Sequence, residues 1–140
     1  MKIAIVHDSR TGTTAAAAKA MAGILERRGH SCTLGPLAGA DPSKISEADL
    51  VCVGSWTQGL FVILQHPTRA SMEFISRLGD LHGKKAVVFC TYKLATGSLL
   101  PRMAAAMAAR GATVVGQFRF RGPSVHEGFV SFASSLGDGA

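Results

Sequence analysis

The stretch IAIVHDSRTGTT at residues 3–14 decides how this protein folds. Ile3–Val6 is a short continuous apolar run, which is the pattern of a strand that is buried on both faces. Residues 9–14 then crowd four hydroxyl side chains around one glycine. From Thr13 to Arg28 an alanine-rich segment follows, with its larger apolar side chains at helical spacing. A strand, a hydroxyl-rich turn and a helix in this order predict an α/β unit with a functional turn after its first strand.

The same alternation of strand-like and helix-like segments continues along the chain. Further strands are expected at Cys32–Leu34, Asp49–Gly54, Ala86–Cys90 and Ala112–Phe120, and further helices at Ile45–Ala48, Thr68–Leu78, Leu99–Arg110 and Ser124–Leu136. Residues 55–67 show no regular pattern. Five strands separated by helices predict an open parallel sheet with helices on both faces. In such sheets a ligand binds beyond the carboxyl ends of the strands, which points to the loops at 8–14, 55–66 and 91–98.

Length and composition favour a globular protein with one domain at residues 1–140. Hydrophobic residues make up 47% of the chain and charged residues 17%, which excludes a disordered composition. The apolar run at 60–64 is too short to cross a bilayer, and the N-terminal apolar stretch is too short for a signal peptide. We therefore expect a soluble cytoplasmic protein with no membrane insertion.

The charge balance is basic. Lysine and arginine outnumber aspartate and glutamate by 15 to 9, and the formal net charge is +6. The basic residues are scattered along the chain, whereas nucleic-acid-binding proteins concentrate them on one face or one helix. The sequence therefore predicts attraction to acidic partners and no binding of nucleic acid.

Cysteine and histidine residues give no sign of a metal or catalytic site. The spacing of Cys32, Cys52 and Cys90 fits neither a zinc knuckle nor a redox CxxC pair, so the expected role is that of small buried apolar residues. Neighbouring His7 and Asp8 on a strand point to opposite faces and cannot pair as acid and base. The other histidines are expected to be solvated: His30, His66, His82 and His126. We assign no catalytic residue and no metal site.

The turn at residues 9–14 has the chemistry of a phosphate site. Backbone N–H groups at a helix start have no intrahelical partner, and the helix dipole adds positive potential there. Gly12 permits a backbone conformation that a side chain would resist. The Walker pattern GxxxxGK[ST] and the dinucleotide pattern GxGxxG are both absent. The alternative is plain capping of the helix, for which one hydroxyl would suffice.

The residues SRTGTT at 9–14 resemble the phosphate loop of flavodoxins, whose pattern is [S/T]-x-T-G-x-T after the first strand. The strand–helix alternation is similar to that family over nearly the whole chain, and the length resembles its short-chain class. The resemblance implies a three-layer sandwich with a five-stranded parallel sheet in the order 2-1-3-4-5 and one noncovalently bound FMN. It also implies that the phosphate is held by Ser9, Arg10, Thr11, Gly12, Thr13 and Thr14.

Two further loops would then enclose the flavin ring. The resemblance implies contacts from Ser55, Trp56, Thr57, Gln58 and Gly59 on one side and from Cys90, Thr91, Tyr92 and Gly97 on the other. Trp56 arrives about two positions before the stacking aromatic residue of the family, and Gln58 occupies that place. Trp56 is therefore expected at the ring edge or over the ribityl chain, with packing beneath the loop as the alternative. Tyr92 is the expected stacking partner, with a surface position as the alternative.

The resemblance implies an electron carrier that acts between redox partner proteins, which the basic charge predicts to be acidic. The alternatives are an FMN-dependent NAD(P)H oxidoreductase or quinone reductase, and a flavodoxin-like domain without flavin. Flavodoxins usually surround the flavin with carboxylates, whereas Lys93 and Arg69 lie in or beside these loops. We therefore expect a reduced flavin that is less reducing than is usual in the family. The apolar run at 60–64 suggests a contact between two subunits, with a strand or the start of a helix beneath the core as the alternative.

Overall fold

The computed structural model describes residues 1–60, 63–93 and 95–137. The strands are β1 Lys2–Asp8, β2 Ser31–Pro36, β3 Leu50–Trp56, β4 Gln58–Leu60, β5 Ile63–His66, β6 Lys85–Thr91 and β7 Thr113–Phe120. The helices are α1 Thr13–Arg27, α2 Pro42–Ile45, α3 Arg69–Ser76, α4 Leu99–Ala109 and α5 Glu127–Ser135. Of the helices in the described ranges, none combines the length and the apolar character that crossing a bilayer requires.

Five of the strands form one parallel sheet in the order β2-β1-β3-β6-β7. Counted along the chain within this sheet, that order is 2-1-3-4-5, so the expected α/β architecture is confirmed. The interior strands β1, β3 and β6 are buried on both faces, as their continuous apolar runs predict. Strand β7 lies at an edge, and its residues alternate between exposed and partly buried, which confirms the interpretation of its alternating sequence.

Each face of the sheet is covered by its own apolar core. On one face Met21 and Leu25 of α1 and Phe129 of α5 pack with Ile5 and Phe89 of the sheet. The opposite core joins α3 and α4 to the other face of the same strands, through side chains that include Ile75, Met103, Met107, Val53 and Val88. Burying one such side chain stabilises the fold by about 1.5–3 kcal/mol.

The cysteines pack in or against these cores as small apolar residues, as the sequence predicts. Cys52 is buried in one core and Cys90 in the other, and all three thiols are free. Burial raises the pKa of the Cys90 thiol to about 12, and it raises the pKa of the half-buried Cys32 thiol to about 11. These thiols are therefore protonated near neutral pH and act as small apolar groups.

Two local elements differ from the sequence expectation. Residues 58–66, which show no regular pattern in the sequence, contain the antiparallel strands β4 and β5, with Gln58 paired to His66. The short helix α2 begins earlier than expected because Asp41 caps it by accepting from Ser43 N, and Pro42 occupies its first position. The expected subunit contact through residues 60–64 rests on side chains that lie outside the described part of the structure.

The expectation that His30 is solvated is wrong. Only 5% of its surface is exposed. Its ring nitrogens bond to the amino group of Met1 at 3.1 Å and to the carbonyl oxygen of Gly137 at 3.1 Å. His7 is buried as well, and burial lowers its pKa, although the carboxylate of Asp8 partly opposes that shift. Local sequence could not reveal the partners of His30, because Met1 and Gly137 lie far from it along the chain.

Candidate functional site

The main cavity of the described structure lies where the carboxyl ends of β1, β3 and β6 meet, and its volume is about 760 Å³. This position agrees with the switch-point rule for parallel sheets. Its lining consists of Arg10, Thr11, Thr13, Thr14, Trp56, Thr57, Gln58, Gln65, Thr91, Tyr92, Lys93, Ala95, Arg121, Gly122 and Pro123. The three loops named from the sequence therefore converge on one space.

The first loop is held in shape by the hydroxyl of Ser9. Its Oγ accepts from the backbone N–H of Gly12 at 3.0 Å and from that of Ala15 at 3.3 Å. Gly12 has a φ of 88°, in the left-handed region that glycine adopts without strain, and α1 begins at the next residue. Ser9 thus takes the capping role that was the alternative reading of this loop, and its side chain does not line the main cavity.

The hydroxyls of Thr11 and Thr13 are placed for a ligand. Thr11 and Thr13 line the cavity, and their Oγ atoms are 3.2 Å apart. The N–H groups of Thr13 and Thr14 stand in the first turn of α1, where no intrahelical acceptor exists. Hydroxyl donors, amide donors and the positive end of the helix dipole together favour an anionic group at this wall.

Thr91, the last residue of β6, ties the three loops together. Its Oγ is 2.6 Å from the Oγ of Thr14, and both hydroxyls are buried. Its carbonyl oxygen accepts from the Oγ of Thr57 at 2.9 Å. The first bond is buried and the second is partly buried, so together they hold the three loops in position before any ligand binds.

Trp56 forms part of the second wall, and it is paired with a cation. The guanidinium carbon of Arg10 lies 5.3 Å from the centroid of the Trp56 ring. Such a pair contributes about 0.5–1 kcal/mol at exposed sites. The first and second loops are therefore joined across the cavity by an aromatic–cation contact, and Trp56 lines the cavity instead of packing beneath the loop.

Ser55 supports this wall from below. Its side chain is fully buried. The Oγ donates to the carbonyl oxygen of Trp56 at 2.7 Å and accepts from Thr68 N at 3.0 Å. Thr68 also caps α3. Ser55 consequently fixes the second loop to α3 and does not line the cavity with its side chain.

The third wall contains Tyr92, whose backbone N–H donates to the carbonyl of Phe120 at 3.1 Å. Cys90 lies two residues earlier, in β6, and its side chain is buried in the core, away from the cavity. Gly97 has a φ of 50°, and a Cβ there would lie 3.2 Å from the Cβ of Gln65. The third loop therefore packs closely on β5 of the second loop.

Gly59 belongs to β4, and nothing further is described of its surroundings. Among the fifteen residues expected at the site, nine line the cavity: Arg10, Thr11, Thr13, Thr14, Trp56, Thr57, Gln58, Thr91 and Tyr92. The side chains of Ser9, Ser55 and Cys90 shape the walls from outside the cavity.

The segment that follows β7 also belongs to the site, although it was not predicted from the sequence. Arg121, Gly122 and Pro123 line the cavity, and the Nε of Arg121 donates to the carbonyl of Lys93 at 3.1 Å. A basic residue followed by Gly-Pro directly after the last strand is a signal that could have been noticed, because this segment also lies at the carboxyl edge of the sheet.

A model of the flavodoxin family matches residues 5–128, which is most of the chain. The chain belongs to the flavodoxin family. Among solved structures, the two-electron reduced flavodoxin of Megasphaera elsdenii aligns with a TM-score of 0.82 at 20% identity, over 95% of this chain and 96% of that one. The rubredoxin oxygen:oxidoreductase of Desulfovibrio gigas aligns with a TM-score of 0.79 at 19% identity, over 96% of this chain but 35% of that one. At these identities the likeness shows a shared fold.

One curated relative is also similar in sequence. The flavodoxin-like domain-containing protein BilS of Clostridium symbiosum is 42% identical over 64 residues, which are 41% of this chain and 34% of that protein. The chain thus matches about a third of the length of this relative. The extent of this flavodoxin as one domain over residues 1–140 stays a prediction.

FMN is the cofactor of the flavodoxin family, and the residues of this cavity fit it. The first wall offers amide and hydroxyl donors to a phosphate, and the other two walls offer the aromatic side chains of Trp56 and Tyr92 to a planar ring. The volume lies within the range of about 300–1,000 Å³ that is usual for small-molecule sites. Over the described ranges, no group of three or more His, Cys, Asp or Glu side chains is arranged to hold a metal ion.

The charge of the lining departs from what is usual in flavodoxins. Arg10, Lys93 and Arg121 are basic, and none of the described lining residues is acidic. Arg69, which the sequence suggested as a neighbouring cation, is instead exposed and bonds Glu73 at 3.0 Å, outside the cavity lining. The positive potential of the site therefore comes from Lys93, as the sequence indicated, and from Arg10 and Arg121 in place of Arg69.

Proposed function

We propose that this protein is an FMN-binding electron carrier that passes electrons between redox proteins. The observation that carries the proposal is the convergence of a phosphate-type cradle and two aromatic side chains on one cavity at the switch point of the sheet. FMN supplies the redox chemistry in such a protein, since it accepts and releases electrons singly or in pairs. The protein supplies binding, orientation and electrostatics.

The phosphate is assigned to the first loop. The N–H groups of Arg10, Thr11, Thr13 and Thr14 and the hydroxyls of Thr11 and Thr13 donate to it, while Ser9 holds the loop in its binding shape by accepting from Gly12 N and Ala15 N. Cradles of this kind bind phosphate without a metal ion. Thr14 serves the site indirectly, because its hydroxyl is engaged with Thr91.

The flavin ring is assigned to the space between the second and third loops. Tyr92 is the proposed stacking side chain, since it is the aromatic residue of the third wall. Trp56 is proposed to contact the cofactor at an edge, because the guanidinium of Arg10 lies against its ring. The backbone of Thr57 to Gly59 is proposed to supply polar contacts of the ring, because the Tyr92 N–H and the Thr91 carbonyl are already bonded within the protein.

The lining argues against an enzyme that needs a side chain for acid–base catalysis, although an FMN reductase would not need one because the flavin itself accepts the hydride. The described lining contains no histidine, cysteine or carboxylate. General acid–base catalysis near neutral pH needs a group that titrates in that range, and arginine, lysine and tyrosine ordinarily do not. The proton and electron chemistry of the site is thereby left to the cofactor.

Titration of purified, flavin-free protein with FMN tests the proposal. We expect one FMN per chain, quenching of FMN fluorescence and an absorption spectrum perturbed by the aromatic walls. The loaded protein alone is expected to oxidise NADH and NADPH no faster than free FMN does. Absence of FMN binding would exclude the proposal, and rapid NAD(P)H oxidation would reassign the protein as a reductase.

The basic cavity mouth leads us to propose acidic redox partners. In stopped-flow experiments, the reduced FMN-loaded protein is mixed with anionic hexacyanoferrate(III). We expect the rate constant of oxidation to exceed the value calculated from the net charge of the protein alone, and to fall as salt is added. Lys93→Glu should slow the reaction several-fold. Lys85→Glu is the matched control, because Lys85 lies at the amino end of the same strand, β6.

Equal rates for the two variants would mean that the net charge governs the reaction and that the mouth of the cavity does not. Cationic hexaammineruthenium(III) is an oxidant of the opposite charge, so Lys93→Glu should accelerate its reaction with the reduced protein. A reaction that is insensitive to salt with both oxidants would contradict the assignment of acidic partners.

A further inference from the structure

Arg121 differs from an ordinary surface cation in the way it is held. Its Nε donates to the carbonyl oxygen of Lys93, so the side chain is anchored to the main chain of the third loop. Exposed long basic side chains usually contribute little electrostatic energy, because they move freely and are screened by water. Arg121 is also exposed, but the hydrogen bond from its Nε restricts the positions that its guanidinium can take at the cavity wall.

The other basic residues of the lining are differently placed. Arg10 lies against the ring of Trp56 and belongs to the phosphate loop, where its charge acts on the dianionic phosphate in either redox state. Lys93 is exposed, as Arg121 is, but among the described residues no hydrogen bond or ion pair holds its amino group. Arg121 is thus the cation with a fixed side-chain anchor at the third wall, on the side assigned to the flavin ring.

We infer that Arg121 is a cofactor-facing residue that raises the reduction potential of the bound flavin. Two-electron reduction of FMN by a donor redox protein, with uptake of one proton, leaves one negative charge on the ring system. A fixed positive charge in the same cavity stabilises that charged form relative to the neutral oxidised ring. No carboxylate among the described lining residues offsets the effect.

This inference rests on the proposed function. It adds that Arg121 shifts the reduction potential of the bound flavin and that the shift is upward. The expected size follows from Coulomb's law at the effective dielectric of a protein surface and a separation of about 10 Å. It corresponds to a roughly tenfold change in the equilibrium constant for two-electron reduction. A tenfold change in a two-electron couple is about 30 mV.

The test is an equilibrium reduction of the FMN-loaded protein by dithionite in the presence of reference dyes. Arg121→Gln is expected to lower the midpoint potential by about 30 mV, whereas Arg121→Lys, which retains the charge but loses the Nε anchor, should lower it by clearly less. Arg27→Gln is the matched control: it removes the same charge at the far end of α1, which is 15 residues long. The control should leave the potential unchanged.

Affinities provide a second readout. By thermodynamic linkage, the potential falls only if Arg121→Gln weakens binding of reduced FMN more than binding of oxidised FMN, here by about tenfold. Equal potentials for Arg121→Gln and Arg27→Gln, with FMN bound, would overturn the inference and leave the proposed function intact. An equal loss in Arg121→Lys would also overturn it, by assigning the effect to loop structure. Failure of the unaltered protein to bind FMN would instead refute the proposed function.

Discussion

Replacement of Gly54 by alanine is expected to lower the free energy of unfolding by about 3 kcal/mol, at the upper end of what overpacking usually costs. Gly54 pairs with Phe89 across β3 and β6, and a Cβ at position 54 would meet three atoms of the Phe89 ring. That ring is fully buried, so it has no free space into which to move. The measurement is urea unfolding of the flavin-free protein.

Two comparisons isolate this contact. Gly35→Ala is the matched control, because Gly35 also lies in a strand of the sheet but a Cβ there would meet nothing within 4 Å. It should change stability by less than about 0.5 kcal/mol. The double variant Gly54→Ala, Phe89→Leu should be less destabilised than the sum of the single changes. Additive effects would show that the ring is not the obstacle.

Gly54 also matters for the site, since the cavity wall begins two residues later at Trp56. A displaced end of β3 would move the hydroxyl of Ser55, which fixes this wall to α3. We therefore expect Gly54→Ala to weaken FMN binding even at temperatures at which the variant is folded.

Replacement of Thr13 by aspartate is expected to weaken FMN binding about 100-fold without lowering stability. The new carboxylate would stand beside a dianionic phosphate, and at an effective dielectric between those of protein surface and water the repulsion is about 3 kcal/mol. At the same position, in the first turn of α1, an acidic side chain interacts favourably with the helix dipole and therefore stabilises the helix. Loss of affinity and loss of folding are thereby separated in one variant.

Riboflavin, which lacks the phosphate, provides the ligand control for Thr13→Asp. Its affinity should change by less than threefold. Thr13→Ser keeps the hydroxyl and should bind FMN almost normally, and Thr113→Asp places the same charge at the amino edge of the sheet, where it should have no effect. If riboflavin and FMN lost affinity equally, the phosphate would not bind at the first loop. Fluorescence titration measures the FMN affinities of the three variants and the riboflavin affinity of Thr13→Asp.

The architecture and the first loop were predictable because their determinants are local. Burial on both faces gives an interior strand such as β1 a continuous apolar run, and this pattern can be recognised within a few residues. The positive φ of Gly12 and the start of α1 likewise depend on neighbours in sequence. The single hydroxyl that caps the helix, Ser9, could not be distinguished from the others, because all of them lie within reach of the same amide groups.

The second and third loops were only partly predictable. The period of a strand predicts that Cys90 and Thr91 face opposite ways, but it does not say which of them meets the core. Packing of α3 and α4 decided that Cys90 is buried and left Thr91 to bond Thr14 and Thr57. The strands β4 and β5 escaped prediction because a two-stranded ribbon depends on its packing partners as much as on its own sequence.

The sequence by itself therefore determined the α/β order of elements, the parallel sheet and a turn suited to phosphate, since each follows from energies between residues that are close along the chain. The tertiary structure alone decided which side chains face one another: Arg10 and Trp56, Arg121 and Lys93, Gly54 and Phe89. These contacts join segments that are far apart in sequence, and their geometry is set by strand register and by the packing of helices on the sheet. No local pattern records that geometry.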